Sequence, residues 1–468
     1  MIRWSSILAA MAASVAVASA APWDEKAIDA HVDRAAFVDL LAPGRLDELV
    51  KAGEKLFAAP FTAGDGVGRP FATQAILPTK RKRKPEQGFF RTPGMDATSC
   101  AACHNVPMTG GAGDFVANVF VAEGFESADF DSLDPQFSNE RNTNHLFGAG
   151  LVELLAREMT ASLHDIRARA LAEARRSGAE VDAKLDAKGV YFGWITALPD
   201  GSVDLRRIEG VDADLIVKPF SQKGVFVSLR QFTDNALNHH HGMQAAERFG
   251  VRWTGEADFD GDEKPDEITE GDVSALTAWQ ATLPTPTVLV PDHAEWKAAA
   301  AKGDLLFDSL GCASCHLRAL PLDSAVFEDP GPYDAAGTLR RADVDKTTRY
   351  DLAALPWAKA LPRDSQGRLL VPLFSDLKRH VIADEQIAAF GNELLAQRFV
   401  DRNVFATSEL WGIGSTAPYG HRGDMPTLNE AILAHGGEAR KARDAYEDAA
   451  DDERSALIAF LKTLVIAP

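Results

Sequence analysis

Apolar positions recur at helical spacing in five stretches of the chain. Residues 27–58 show it first, in Phe37, Leu40, Leu41 and then Leu46, Leu49, Val50. Residues 148–177 show it again and stop at Arg175-Arg176-Ser177-Gly178, a basic last turn followed by the glycine that favours a helix C-terminus. Glu270 to Leu283, Ala294 to Leu310 and Asp451 to Leu464 complete the set. The period changes to two between residues 189 and 216. There Val190-Tyr-Phe-Gly-Trp-Ile-Thr-Ala-Leu198, the turn Pro199-Asp200-Gly201 and Ser202-Val-Asp-Leu205 predict a β-hairpin. Residues 59–99 are rich in Gly, Pro and charge and predict a loop. A second loop-rich stretch carries prolines at 321, 330, 332, 356, 362 and 372. Leu283-Pro-Thr-Pro-Thr-Val-Leu-Val-Pro291 reads as a stiff linker. It divides an N-terminal unit, 21–283, from a C-terminal unit, 284–468. Ahead of both, Arg3, the apolar run Ile7 to Ala18 and the small residues Ala18-Ser19-Ala20 predict a cleaved secretory signal over 1–20. That run is too short to span a bilayer, and no other segment reaches the ~18 apolar residues that spanning requires.

The four cysteines fall in two copies of one motif, Cys100-Ala-Ala-Cys103-His104 and Cys312-Ala-Ser-Cys315-His316, one in each unit. Two thiols at this spacing can add across the two vinyl groups of one porphyrin, and the adjacent imidazole then falls under the iron. A four-cysteine zinc site or a redox dithiol gives no role to the histidine that follows each pair. The expectation is two covalently bound haem c groups, with every cysteine engaged and no disulfide. Such attachment takes place outside the cytoplasm in bacteria, which agrees with the leader and points to the periplasm. The fold expected is mainly α: two c-type cytochrome-like haem domains with long loops and a small β-hairpin element. Gly110, Gly111 and Gly113 imply an irregular backbone after the first motif.

The net charge of -19 disfavours nucleic acid and anionic membranes as partners and suits a basic, small redox protein as electron donor or acceptor. The local exception, Lys80-Arg-Lys-Arg-Lys84, reads as a solvated loop or as a docking patch.

The C-terminal segment Thr416-Ala417-Pro418-Tyr419-x-His421-x-Gly423, followed by Leu428-x-Glu430-Ala431-Ile432, resembles the signature of bacterial di-haem cytochrome c peroxidases. Arg141-Asn142-Thr143 through Phe147-Gly-Ala-Gly-Leu151 is similar to an N-terminal stretch of the same family, and Ala431-Ile-Leu-Ala-His435-Gly-Gly-Glu-Ala439 is similar to its di-haem oxidoreductase relatives. In those peroxidases the residue four positions after the Glu-Ala alanine caps the electron-transfer haem. Counted from Ala431 it is His435 here, so the resemblance implies a bis-His iron with His316, of lower potential than a His/Met centre. The alternative is a histidine near a helix C-terminus, followed by the glycine cap Gly436-Gly437. The N-terminal haem of the family is where peroxide reacts, beside a glutamate that moves the proton. Aligning Gly242-Met243 puts His240 at that glutamate, with His239 and His241 as alternates. A neutral imidazole can do the same work. A sixth ligand to the iron and a surface cluster stay open as readings of the three histidines, and Met108 and His145 are further ligand candidates. The family's inter-haem tryptophan is missing after Leu151, where Val152-Glu-Leu-Leu155 stands. Trp194, Trp253 and Trp279 are the available substitutes.

Asp258-Phe-Asp260-Gly-Asp262-Glu-Lys-Pro-Asp266 sets carboxylates at alternate positions, as calcium loops do. It is no EF-hand, because glycine stands at position four and Thr269 at position twelve. Asp258, Asp260, Asp262 and Asp266 are the candidate calcium ligands. Together these features point to a di-haem oxidoreductase that acts on a small oxidant such as hydrogen peroxide at His104 and relays electrons through His316/His435. The alternatives are a non-catalytic electron-transfer cytochrome and an oxidase or oxygenase acting on an organic or protein substrate.

Overall fold

The computed structural model describes residues 23, 25–41, 44–67, 97–121, 138–259, 261–335, 337–393, 397 and 399–467. The predicted leader over 1–20 and the basic run Lys80 to Lys84 lie outside the described residues. No helix among the described residues is long and apolar enough to cross a membrane.

The described helices used below are α1 (Leu46–Ala58), α2 (Ala149–Ser177), α3 (Leu229–His240), α4 (Glu270–Thr282), α5 (Ala294–Ser309), α6 (Leu428–Leu433) and α7 (Asp451–Leu461). Helix α1 begins only at Leu46, although apolar spacing runs from residue 27. Pro43-Gly44 intervenes, and Gly44 takes a φ of 112° that a helix does not admit. Helix α2 ends where its sequence predicts, with Gly178 left-handed at φ 68° and its N–H bonded to the Ala174 carbonyl. Thr269 and Asp272 close a capping box on α4. The His31 imidazole lies 2.6 Å from the same Asp272 and ties the N-terminal segment to that helix.

Two helix pairs repeat one packing device. A Cβ on Gly53 of α1 would stand 2.0 Å from the Ala275 carbonyl oxygen of α4 and 2.8 Å from Trp279 Cβ. A Cβ on Gly303 of α5 would stand 2.0 Å from the Ala456 oxygen of α7 and 2.8 Å from Phe460 Cβ. One turn on, Phe57 packs on Trp279 with ring centroids 4.2 Å apart, and Phe307 on Phe460 at 5.7 Å. Each pair stands beside one C-x-x-C-H motif.

The architecture is mixed rather than mainly α. The predicted hairpin forms, as β2 (Val190–Ala197) and β3 (Val203–Ile208), but β1 (Val181–Ala187) joins it to make a three-stranded antiparallel sheet in the order β1-β2-β3, packed on α2. The expected proline-rich loop likewise contains short antiparallel pairs: Leu320–Leu322 with Leu369–Val371, Val326–Asp329 with Thr348–Asp351, and Arg379–Val381 with Val404–Ala406. These strands are too short for alternation to stand out, and Pro321 sits inside one of them. The linker Leu283 to Pro291 contributes Thr287–Val288, which pairs with Leu464–Val465. The largest apolar cluster draws Leu320, Phe327, Tyr350 and Leu369 together with Leu155, Leu229 and Leu276, so the core continues across residues 283 and 284.

Buried charge fixes α3. Arg230 donates from Nε and Nη2 to the two Asp329 carboxylate oxygens at 2.8 and 2.9 Å, and also pairs with Glu247 and Ser274. All three charged groups are almost wholly buried.

Candidate cofactor sites

The first motif is a single helical turn, Cys100–Cys103, capped by the Ser99 hydroxyl, which accepts from Ala102 N at 3.2 Å. The glycines after it allow a tight return. A Cβ on Gly113 would lie 2.0 Å from the Cys103 carbonyl oxygen, and one on Gly111 2.1 Å from that of Val106. His104 Nδ1 lies 3.2 Å from the Gly111 carbonyl. A hydrogen on Nδ1 directed there leaves Nε2 as the atom able to bind a metal. Cys100, Cys103 and His104 border a cavity of about 190 Å³, together with His240 and His241. Burial pushes His104 down to about 4, and the charges of His240 and His145 act in the same direction. Burial also pushes the Cys100 thiol up to about 12.

Of the three consecutive histidines, His240 faces this cavity from the last turn of α3, whereas His239 does not border it. His241 borders it as well, because the chain leaves the helix there and Gly242 turns it at φ 66°. His241 Nδ1 is 2.8 Å from the Ala97 carbonyl and its Nε2 is 3.5 Å from Cys100 Sγ.

The second motif is a 3₁₀ turn over Cys312–Ser314. Cys312, Cys315 and His316 border a larger cavity of about 600 Å³, with His435 on its wall. Cavities that hold cofactors span roughly 300–1,000 Å³. The larger cavity falls within that range and the smaller below it, so the fit of the smaller one to a porphyrin rests on its donor set. His316 Nδ1 lies 3.1 Å from the Phe374 carbonyl and His435 Nδ1 2.8 Å from the Ala431 carbonyl, so the tautomer argument made for His104 applies to both. Burial pushes His316 down to about 4, with the His435 charge next in the same direction. Burial also lowers His435. His435 reaches this wall because Thr427 and Glu430 cap the short helix α6 and the chain leaves it at Ala434.

Sequence reasoning missed His380, which borders the larger cavity between two carboxylates: Nε2 is 2.8 Å from Asp376 and Nδ1 2.8 Å from Glu438. Burial opposes its charge, but the hydrogen bonds to Asp376, Cys315 and Glu438 raise it to about 11. Cys315, Asp376 and His380 are the only group of three potential metal ligands that converge among the described residues.

Residues 142–145, residues 406–409 and Gln222 border both cavities and form the wall between them. His145 in that wall lies with Nε2 3.0 Å from the Trp411 carbonyl, and burial pushes it down to about 4. Trp411, almost wholly buried, borders the smaller cavity. No periodicity marks it; its signal is its place in the Leu410-Trp-Gly segment, next to the peroxidase-like signature. The tryptophans anticipated for this position sit elsewhere. Trp194 is partly exposed on β2, Trp253 lies under Arg252 and Arg340, and Trp279 packs on Phe57, whose ring is 5.9 Å from that of His104. Met108 borders neither cavity.

In the acidic loop, two of the candidate calcium ligands accept hydrogen bonds from backbone amides of their own turn. Asp258 accepts from the amides of Gly261, Asp262 and Glu263 at 2.8, 3.2 and 3.0 Å, and Asp262 from that of Lys264 at 2.8 Å. Among the described residues, Asp258, Asp262 and Asp266 do not form a converging group of three. Asp260 lies outside the described residues.

Residues 364–464 match the family described as "Di-haem oxidoreductase, putative peroxidase". The resemblance read from the sequence therefore stands for the segment that contains His380, Glu409, Trp411, His421 and His435. A search of curated proteins finds no match. Among solved structures, a hydrazine synthase from Kuenenia stuttgartiensis aligns over 98% of this chain and 100% of its own, at 13% identity and a TM-score of 0.34. A MauG-like protein associated with microbial copper homeostasis aligns over 67% of this chain and 88% of its own, at 18% identity and a TM-score of 0.28. At these TM-scores neither likeness bears on function.

Proposed function

We propose that this chain is a periplasmic oxidoreductase with two covalently attached haems. Its chemistry is peroxidase-like: a small oxidant such as hydrogen peroxide reacts at the smaller cavity, and electrons arrive through the larger one. The observation that carries this reading is a pairing made twice. Each C-x-x-C-H motif shares a cavity with a second imidazole from a distant part of the chain, His104 with His240 and His316 with His435. The family match over 364–464 supports haem-based redox chemistry for the half that holds the second pair.

A bound haem supplies one-electron redox chemistry and an axial position for a small ligand. The protein's part is to hold it and to move protons. The cysteine pairs anchor each porphyrin, and His104 and His316 present Nε2 from neutral, carbonyl-pinned rings. His435, also on the wall of the larger cavity, would do the same, giving that site two imidazoles and a low potential. In the smaller cavity His240 accepts the proton from one peroxide oxygen and returns it to the other, the exchange a leaving water requires. The acidic surface suits a small basic redox protein as donor.

The narrowness of the smaller cavity, into which both His240 and His241 project, favours a second reading. An imidazole there closes the sixth position and leaves an electron carrier without substrate chemistry. Electronic and EPR spectra of the purified di-ferric and half-reduced protein, with and without cyanide and peroxide, separate the two. A high-spin or cyanide-binding centre beside a low-spin one supports the enzyme. Two low-spin centres indifferent to both ligands in both states support the carrier.

A further inference from the structure

The wall between the cavities contains one acid among its described residues, Glu409, and one imidazole, His145. Glu409 borders both cavities. Among the described residues its carboxyl group is approached only by its own backbone amide. The residue is half-buried and lines both cavities. An electron that enters either cavity adds a negative charge near a carboxylate that no cation among the described residues offsets, in a poorly polarisable setting.

We propose that Glu409 is the shared proton acceptor of the two redox centres, taking up one proton from solvent when either centre gains an electron and releasing it when that centre is oxidised. The inference rests on the two-haem reading. The electron comes from the small one-electron redox protein invoked above, the proton from water, and only an O–H bond forms or breaks.

The other titratable and charged groups leave this role to Glu409. In the larger cavity these are Cys312, Cys315, His316, His380, Tyr419, His421, His435, Glu438, Lys441 and Arg443; in the smaller they are Cys100, Cys103, His104, Arg141, His240 and His241. His380 is held protonated between Asp376 and Glu438. His145, the other titratable member of the wall, is kept neutral by burial. His316 and His104 belong to one cavity each, whereas Glu409 belongs to both. Burial also places Glu409 at about 7, where a small change in nearby charge changes its protonation.

The test is a spectroelectrochemical titration of both centres in the purified holoprotein across neutral pH. Both midpoint potentials are expected to fall as pH rises, with slopes that together sum to no more than about 59 mV per pH unit, because one carboxyl group takes one proton for the pair of centres. In Glu409→Gln both become flat, with two haems still attached. Redox-difference infrared spectra read the same event in the wild type: reduction raises a protonated-carboxyl band that Glu409→Gln lacks. A pH slope that survives in the variant, a slope lost at only one centre, or a wild type without the band overturns the inference while leaving the two-haem reading standing. A protein without covalent haem overturns both.

Discussion

Replacing Arg230 by methionine removes the guanidinium that holds Asp329 and pairs with Glu247. Both carboxylates are almost fully buried, and Asp234 is buried in the same cluster. Methionine fills most of the space but leaves the acids without their cation. Breaking a buried ion pair from one side costs about 3–5 kcal/mol, a large part of the roughly 5–15 kcal/mol that holds a typical domain together. The sign of the pH dependence follows. Without Arg230 the two buried acids are costly to hold as carboxylates and far less costly as neutral acids. The penalty is therefore expected to be small in mildly acidic solution and full in mildly alkaline solution. Urea unfolding of wild type and Arg230→Met, followed by far-UV circular dichroism and tryptophan fluorescence at both pH values, reads it as a midpoint shift at constant slope. Adding Glu247→Gln and Asp329→Asn is expected to restore much of the loss. A penalty below about 1 kcal/mol, the scale of an exposed pair, or one of equal size at both pH values, refutes the reasoning.

Four further outcomes are expected. Gly303→Ala pushes α5 off α7 and costs about 1–3 kcal/mol by overpacking; a neutral result in thermal unfolding would mean that the helices can separate freely. His435→Met raises the midpoint potential of the C-terminal centre and changes its low-spin spectrum; an unchanged potential excludes His435 as a ligand. His240→Ala lowers peroxide turnover by about 10²–10⁴-fold, and full activity in steady-state assays removes it from proton transfer. The double change Cys312→Ala and Cys315→Ala leaves one covalent haem per chain by pyridine haemochrome assay; two would place the second attachment elsewhere.

The long helices and the hairpin were legible because their apolar residues repeat at a fixed period. Helix α3 was not, because its inward face is polar: Arg230, Asp234 and Asn238 lie buried at four-residue spacing. Strand β1 alternates as a strand should, but with alanines at 183 and 187, which give little contrast against Asp182, Lys184 and Asp186. In the site, the cysteines and their histidines are read from adjacent letters. His435 is found by counting from Ala431. The wall between the cavities has no such local signature. It is assembled from residues 142–145, 222 and 406–409, so Glu409, His145 and Trp411 acquire their setting only when distant segments meet. His380 is hidden for the same reason, since Glu438 approaches it from 58 residues away.

The two glycine-packed helix pairs also differ in when they can form. Chains fold roughly in the order in which they emerge. Helix α1 meets its partner once residue 282 is out, well before the C-terminus. Helix α5 must wait for α7, which ends at Leu461 of a 468-residue chain. Until then Cys312 and Cys315 stand beside a helix that lacks its packing partner, and on the two-haem proposal they are open to the attachment step. Helix α7 thus comes late in the assembly of the second site, and a chain truncated ahead of Asp451 is expected to leave that site open.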